Sequence, residues 1–223
     1  MAEDPSASSG REAGSERRSD RKRRAILDAA TERFLRNGYL GTSMDEIAAD
    51  ATVSKQTVYK HFADKQRLFR EIVAMTVDEI SDPNYEAVVA LQDSGDVGAD
   101  LRALAREQLA RVMQPRLLQL RRLVIGESGR FPELGQLFYE RGPGRTISAL
   151  AAVFERLARR GALVLDDPLL AAAHFNWLVM SIPLNRAMLL GDESPPADAD
   201  LDLFAESGVS VFLAAYGAQR TQR

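Results

Sequence analysis

An all-α protein is predicted, with a small N-terminal head of short helices and a larger C-terminal helical bundle. Three observations carry that prediction. Apolar residues recur at three- and four-residue spacing along most of the chain, and no stretch sustains two-residue alternation. Clusters of Gly, Pro, Asp and Asn punctuate the pattern at intervals of helical length. Short capped helices crowd the region before residue 65, whereas the segments after it are long.

Residues 1–16 are Ser, Ala, Gly and charge without apolar periodicity, and are predicted to form a disordered tail. A first helix is expected from about Arg18 to Asn37, because Ile26, Ala29, Ala30 and Phe34 form a stripe and Gly38 supplies a stop. Ser43 with Glu46 three residues later fits a capping box, in which hydroxyl and carboxylate satisfy orphan backbone donors, and opens a second helix to about Ala51. Ser54 caps a third, Lys55 to Phe62, and Asp64 caps a longer fourth with Leu68, Ile72 and Met75 on one stripe. Asp82-Pro83-Asn84 is expected to end that helix and to set apart a short segment from Tyr85 to Leu91. Further helical stretches are expected at about 98–113, 115–128, 133–160, 167–190 and 199–217. Gly142-Pro143-Gly144 should kink or split the third of these, since proline removes a helix hydrogen bond.

Composition closes off several function classes. The 223 residues include no cysteine, which excludes disulfides and thiolate metal sites. The two histidines, His61 and His174, lie far apart, so a histidine metal cluster would need carboxylates to complete it; no metal and no other cofactor is expected. No apolar run approaches the ~20 residues that span a bilayer, and Met1 to Gly14 lacks the apolar core of a signal peptide; a cytoplasmic protein with no membrane partner is expected. Three enzyme-like signals fail. Asp198-Ala199-Asp200-Leu201-Asp202 begins like a calcium loop but has Leu203 where glycine belongs and Val209 where glutamate belongs. Asp166-Asp167 before Pro168 reads as a helix cap, and Gly126 to Arg130 lacks the Lys-Ser/Thr of a phosphate loop. No catalytic residues are expected.

Charge is asymmetric despite a net of −3. Residues 17–70 carry 13 Lys/Arg against 7 Asp/Glu, and residues 71–223 carry 15 against 21. A basic head on an acidic body points to a polyanion partner for the head alone. Within the head, two short helices joined by Ala51-Thr52-Val53 and preceded by a longer helix form a helix-turn-helix pattern. Ile47, Ala48, Val53, Val58 and Phe62 are the inward residues. Lys55, Gln56, Thr57, Tyr59, Lys60 and His61 are left on or near the outer face of the third helix. Lys, Gln and Thr can bond base edges, while Tyr and Lys also suit phosphates. Lys65, at the start of the fourth helix, is placed for a phosphate as well. The run Arg17-Arg18-Ser19-Asp20-Arg21-Lys22-Arg23-Arg24 is either a solvated arm or a further phosphate contact.

The stretch Ala30-Xaa-Xaa-Xaa-Phe34, Gly38-Tyr39, Thr42 to Ala48, Val53 to Phe62 and Lys65-Xaa-Xaa-Leu68 resembles the DNA-binding domain of the TetR family of bacterial transcriptional regulators over about 45 residues. The sequence departs from the family at Thr52, where members commonly carry Gly. The resemblance implies a homodimer that reads a palindromic double-stranded DNA operator, with a C-terminal domain that binds a small-molecule effector and dimerises through its last two helices. On that pattern residues 17–66 are the DNA-binding domain and 67–223 the ligand-binding and dimerisation domain. Ser43 would cap its helix beside a phosphate, Lys55, Gln56 and Thr57 would face bases, and Tyr59, Lys60, His61 and Lys65 would lie mainly on the DNA backbone.

In the body, Met113, Phe138, Tyr139, His174, Asn176, Trp177 and Met180 are the candidates for a ligand pocket. Aromatic residues and methionines at helical spacing equally describe a core, and the sequence leaves the two open. Leu201, Phe204, Gly208, Phe212 and Ala215, with Val211 beside them, make an apolar stripe on the last helix that suits a dimer interface and the core of a globular monomer equally; it is the family resemblance that implies the dimer. A repressor released by a ligand is the expected function; the alternative is a helical DNA-binding dimer that does not discriminate sequences and has no effector.

Overall fold

The computed structural model describes residues 6–191 and 198–218, and the chain divides into two compact units, Met1–Val73 and Ala74–Arg223. In the first unit α1 (Ser6–Asn37) is followed by α2 (Met44–Asp50), α3 (Lys55–His61) and the opening turns of α4 (Lys65–Ala90). Ile26, Ala30 and Phe34 of α1 are buried with Ile47, Val58 and Phe62, and Leu68, Phe69, Ile72 and Val73 of α4 are buried too. The Phe34 and Phe69 ring centroids are 4.9 Å apart and Tyr39 lies 5.3 Å from Phe69, an aromatic cluster that fixes where α1 stops. Gly38 takes the left-handed conformation (φ 73°) needed for that stop.

Two boundaries differ from the sequence-based expectation. α1 begins at Ser6, not near Arg18, so residues 6–16 are helical; residues 1–5 of the expected tail lie outside the described residues. An apolar stripe reports burial rather than helicity, and Arg11, Glu12, Ala13 and Glu16 are good helix formers that need no core. The division between units falls after Val73 instead of after Gln66, because the first two turns of α4 supply apolar residues to the head.

The second unit holds the rest of α4, a 3₁₀ turn (Leu91–Asp93), α5 (Val97–Val112), α6 (Pro115–Glu127), α7 (Pro132–Tyr139), α8 (Arg145–Arg159), α9 (Pro168–Leu190) and α10 (Asp198–Tyr216). α4 continues past Pro83, contrary to the break expected there. The buried series Val77, Ser81, Asn84, Val88 and Leu91 continues at four- and three-residue spacing across it, while Pro83 lies on the exposed side. Burial of that stripe outweighs one missing hydrogen bond. Gly142 does break the following helix (φ −95°, ψ −107°), separating α7 from α8 as the Gly-Pro-Gly run predicts. Asp96 and Asp167 cap α5 and α9 through backbone N–H groups at 2.9–3.0 Å.

Phe154, Phe175 and Phe212, from α8, α9 and α10, meet with centroids 5.1–5.8 Å apart at the centre of this core. Gly208 allows α10 to lie close on α9: a Cβ there would stand 3.0 Å from the Leu178 carbonyl oxygen. The expected dimer stripe is therefore largely internal. Phe212 and Gly208 are buried and Leu201 and Phe204 pack against the core, whereas Leu203 and Val211 face outward with Leu178 and Ile182 of α9.

Candidate nucleic-acid interface and cavity

The head is built around two caps and one strained residue. Ser43 and Glu46 close the predicted capping box: the Glu46 N–H donates to Ser43 Oγ (3.2 Å), and the Ser43 N–H and hydroxyl donate to Glu46 Oε2 (2.9 and 2.8 Å). At the other end of α2, the Thr52 N–H bonds the Ala49 carbonyl (3.1 Å) and the Val53 N–H bonds the Ala48 carbonyl (3.0 Å), the paired pattern of a Schellman turn. That turn requires a left-handed residue, and Thr52 fills it with φ 54°. A β-branched side chain in this region is strained, which explains why glycine is the common choice.

Ser54 caps α3 by accepting from the Thr57 N–H (3.2 Å), and the two hydroxyls share a hydrogen bond of 2.8 Å. With Val58 and Phe62 fully buried, the register of α3 is fixed. Lys55, Gln56, Tyr59 and Lys60 are exposed on it, and Thr57 and His61 are half-buried at its edges. The six expected outer-face residues are thus those that α3 leaves outside the core, Thr57 and His61 only in part.

Charged groups bridge the helices around that surface. Arg33 of α1 grips α2, its guanidinium donating to Asp50 Oδ1 (3.0 Å) and to Glu46 Oε1 (3.1 Å). Its hydrogen bond with Asp50 raises Arg33 above the ordinary arginine value, and Ser43's hydrogen bonds, with Arg33 assisting, hold Glu46 below the usual carboxylate range. Lys55 Nζ lies 2.7 Å from Asp45 Oδ1. Lys65, the residue expected on a phosphate, points its ammonium into the α1–α2 turn in the free protein. It donates to the carbonyl oxygens of Tyr39 and Thr42 (2.9 Å each) and rests 4.4 Å from the centre of the Tyr39 ring. Ser43 likewise has its hydroxyl and N–H engaged by Glu46.

His61 stands at the junction between α3 and the basic stretch of α1. Burial holds it below its ordinary 6.5, with Arg23, Lys60 and Lys22 reinforcing the shift and Asp20 opposing it. Arg23 stacks 5.4 Å from the centre of the Phe62 ring and pairs with Glu71. The cationic surface therefore continues from α3 onto α1, where Arg17, Arg18, Arg21, Lys22 and Arg24 are exposed.

In the second unit, three of the seven pocket candidates come together. Phe138, Tyr139 and Trp177 line a cavity of about 290 Å³ with Arg121, Val124, Ile125, Ser128, Gly135 and Pro143. Tyr139 and Trp177 also border a neighbouring open cavity of about 470 Å³, lined by Ile147, Asp167, Leu170 and Ala173 among others. The other four do not join them. Met113 and Met180 are buried in the core, Asn176 is buried on α9, and exposed His174 bonds the Tyr216 hydroxyl through Nδ1 (2.6 Å). Arg121 was absent from the sequence-based candidates. Its signal is a charge inside an apolar series, Leu117, Arg121, Val124, at four- and three-residue spacing. Burial lowers its guanidinium to about 10, so it remains a cation at neutral pH. Among the described residues no group of three or more His, Asp or Glu is placed to hold a metal, and no helix is long and apolar enough to cross a membrane.

Comparison with known proteins agrees with this geometry. Residues 26–72 match the family described as bacterial regulatory proteins, tetR family, and residues 99–218 match the AefR-like transcriptional repressor C-terminal domain. A TetR-family regulator from Mesorhizobium loti MAFF303099 is 42% identical, covering 90% of this chain and 98% of its own, with a TM-score of 0.83. The flavonoid-responsive regulator FrrA is 32% identical over 90% of this chain and 99% of its own, with a TM-score of 0.72. The helix-turn-helix regulator YhgD of Bacillus subtilis (strain 168) is 42% identical over 69 residues, 31% of this chain; that match spans about a third (36%) of the length of YhgD.

Proposed function

The chain belongs to the TetR family of bacterial transcriptional regulators, and from that premise we propose that it is a ligand-responsive repressor that binds a palindromic operator as a dimer and leaves it when a small effector binds. The observation that carries this reading is the register of α3: Val58 and Phe62 buried, with Lys55, Gln56, Thr57, Tyr59, Lys60 and His61 on the accessible side. In a major groove, Lys55, Gln56 and Thr57 would meet base edges, and Tyr59, Lys60 and His61 would meet phosphates. The exposed Arg17, Arg18, Arg21, Lys22 and Arg24 would add sequence-independent phosphate contacts and a steep salt dependence.

Dimerisation is supported by the outward apolar residues Leu178, Ile182, Leu203 and Val211 on α9 and α10. Two α3 helices of such a dimer would need to stand about 34–36 Å apart to enter successive major grooves. Effector binding is supported by the cavity at Phe138, Tyr139 and Trp177 and by the flavonoid-responsive relative. Repression is supported by the matched description of the C-terminal domain. α4 contributes its first turns to one unit and the remainder to the other, so it is the covalent route by which the cavity would bias the head. A coupling of about 1–3 kcal/mol would lower operator affinity by about 5–150-fold. Such a regulator works in the cytoplasm, and no catalytic step is assigned to it.

Selection of random duplexes by the purified protein, followed by anisotropy titration of the winners against scrambled DNA, tests the reading. Enrichment of a palindrome bound about 10³-fold tighter than scrambled DNA is expected. Equal affinities would leave a DNA-binding dimer that does not discriminate sequences.

A further inference from the structure

The cavity beside Trp177 contains a charge that no salt bridge among the described residues neutralises. Arg121 lines a mainly apolar wall with Val124, Ile125, Phe138, Pro143 and Trp177, in which Ser128 and the Tyr139 phenol carry the other polar side chains. Its Nε is fully buried and has no hydrogen-bond partner, and its guanidinium lies 4.9 Å from the centre of the Phe138 ring. Every salt bridge found among the described residues excludes it. Ser128, the one hydroxyl-bearing aliphatic side chain in the wall, donates to the Ile125 carbonyl at 2.8 Å. A largely buried cation without a counter-charge is unfavourable in a folded chain on its own. It becomes favourable when an anion arrives, because a partly buried guanidinium on an apolar wall binds a carboxylate through charge-assisted hydrogen bonds.

Resting on the reading of this cavity as the effector site, we propose that the effector is an amphipathic organic acid. Its apolar or aromatic body would pack on Phe138, Pro143 and Trp177, and its carboxylate would pair with Arg121. The volume of about 290 Å³ sets the scale at a small acid, near the lower end of ligand pockets.

Trp177 is the single tryptophan of the chain, so its fluorescence reports occupancy without DNA. The full-length protein is titrated with 4-phenylbutyrate and octanoate, each against its primary amide of nearly identical shape. The wild type is expected to bind at least one acid about 10-fold or more tighter than its amide. In Arg121→Met that preference falls to about one, through loss of acid affinity with amide affinity unchanged, and Arg121→Lys retains part of it. Arg121→Gln supplies the same comparison if Arg121→Met does not fold. Equal binding of acid and amide by the wild type, no binding of either acid, or a preference that survives in the folded neutral variants overturns the proposal. Operator release is measured in parallel. Acid-selective binding that leaves DNA bound removes the effector reading and keeps the acid site, whereas release by acid and amide alike does the reverse.

Discussion

Lys55 Nζ and Asp45 Oδ1 lie 2.7 Å apart, tying the first residue of α3 to the first turn of α2. Both side chains are more than half exposed, so the pair contributes little to folding. Its consequence lies at the surface that would meet DNA, where Asp45 neutralises a cation and adds an anion. Asp45→Asn is expected to leave Tm within a few degrees while tightening DNA binding several-fold and steepening its salt dependence. Anisotropy titrations at several salt concentrations check this; unchanged or weaker binding would place Lys55 away from DNA.

Lys65 is a structural cation. Lys65→Met would leave the carbonyls of Tyr39 and Thr42 without their donor, at a cost of about 1–3 kcal/mol. Thermal unfolding should show a lower Tm, with the affinity of the folded fraction for DNA little changed. Lys60→Ala is the contrasting variant: its exposed side chain predicts unchanged Tm and weaker binding to operator and random duplex alike. Gln56→Ala is expected to weaken operator binding selectively.

Thr52 holds the left-handed position of the α2–α3 turn. Thr52→Gly removes the clash of Cβ with its own backbone and is expected to stabilise the head by about 1 kcal/mol, the penalty an L-residue bears there. A scan of Tm for the two proteins decides it; a lower Tm would mean that the gain in unfolded-chain entropy exceeds the strain relieved.

His61 should respond to pH in two opposite ways. In the free protein its pKa is lowered by burial and by Arg23, Lys60 and Lys22. The unfolded chain, at about 6.5, therefore takes up a proton first, and the His61 contribution to stability is lost as pH falls from about 6.5 through the lower folded value. A phosphate beside His61 would raise that pKa in the complex, so DNA affinity should increase over the same acid range. NMR titration of the ring with and without DNA measures both shifts. His61→Gln should flatten the pH dependence of binding, and a ring pKa unmoved by DNA would remove His61 from the interface.

The head was more legible in the sequence than the body. Ser43-Glu46, Ser54 and Asp64 each act over three residues, and local hydrogen bonds of that reach are written directly in the order of side chains. Periodicity also recovered every helix after residue 97, and the Gly142 break with them. It failed at Pro83, where a local rule about proline met a buried stripe extending to Leu91. On the last helix it left two readings open, because an apolar stripe shows that a face is covered but not whether by α9 or by another chain. Met113 and Met180 illustrate the same limit for the pocket: residue type suits core and cavity equally, and only packing separates them from Phe138 and Trp177. Lys65 was legible as a cation at a helix start, but its partners are 23 and 26 residues away.

That long reach bears on where the chain can be cut. A fragment ending at Asp64 would contain α1, α2 and α3 whole, yet it would lack the ammonium that closes the turn between Gly38 and Ser43 and four buried side chains, Leu68, Phe69, Ile72 and Val73. The smallest portable version of the head therefore ends no earlier than Val73. A graft of the helix-turn-helix alone onto another scaffold would carry the contact residues without the clamp that orients them.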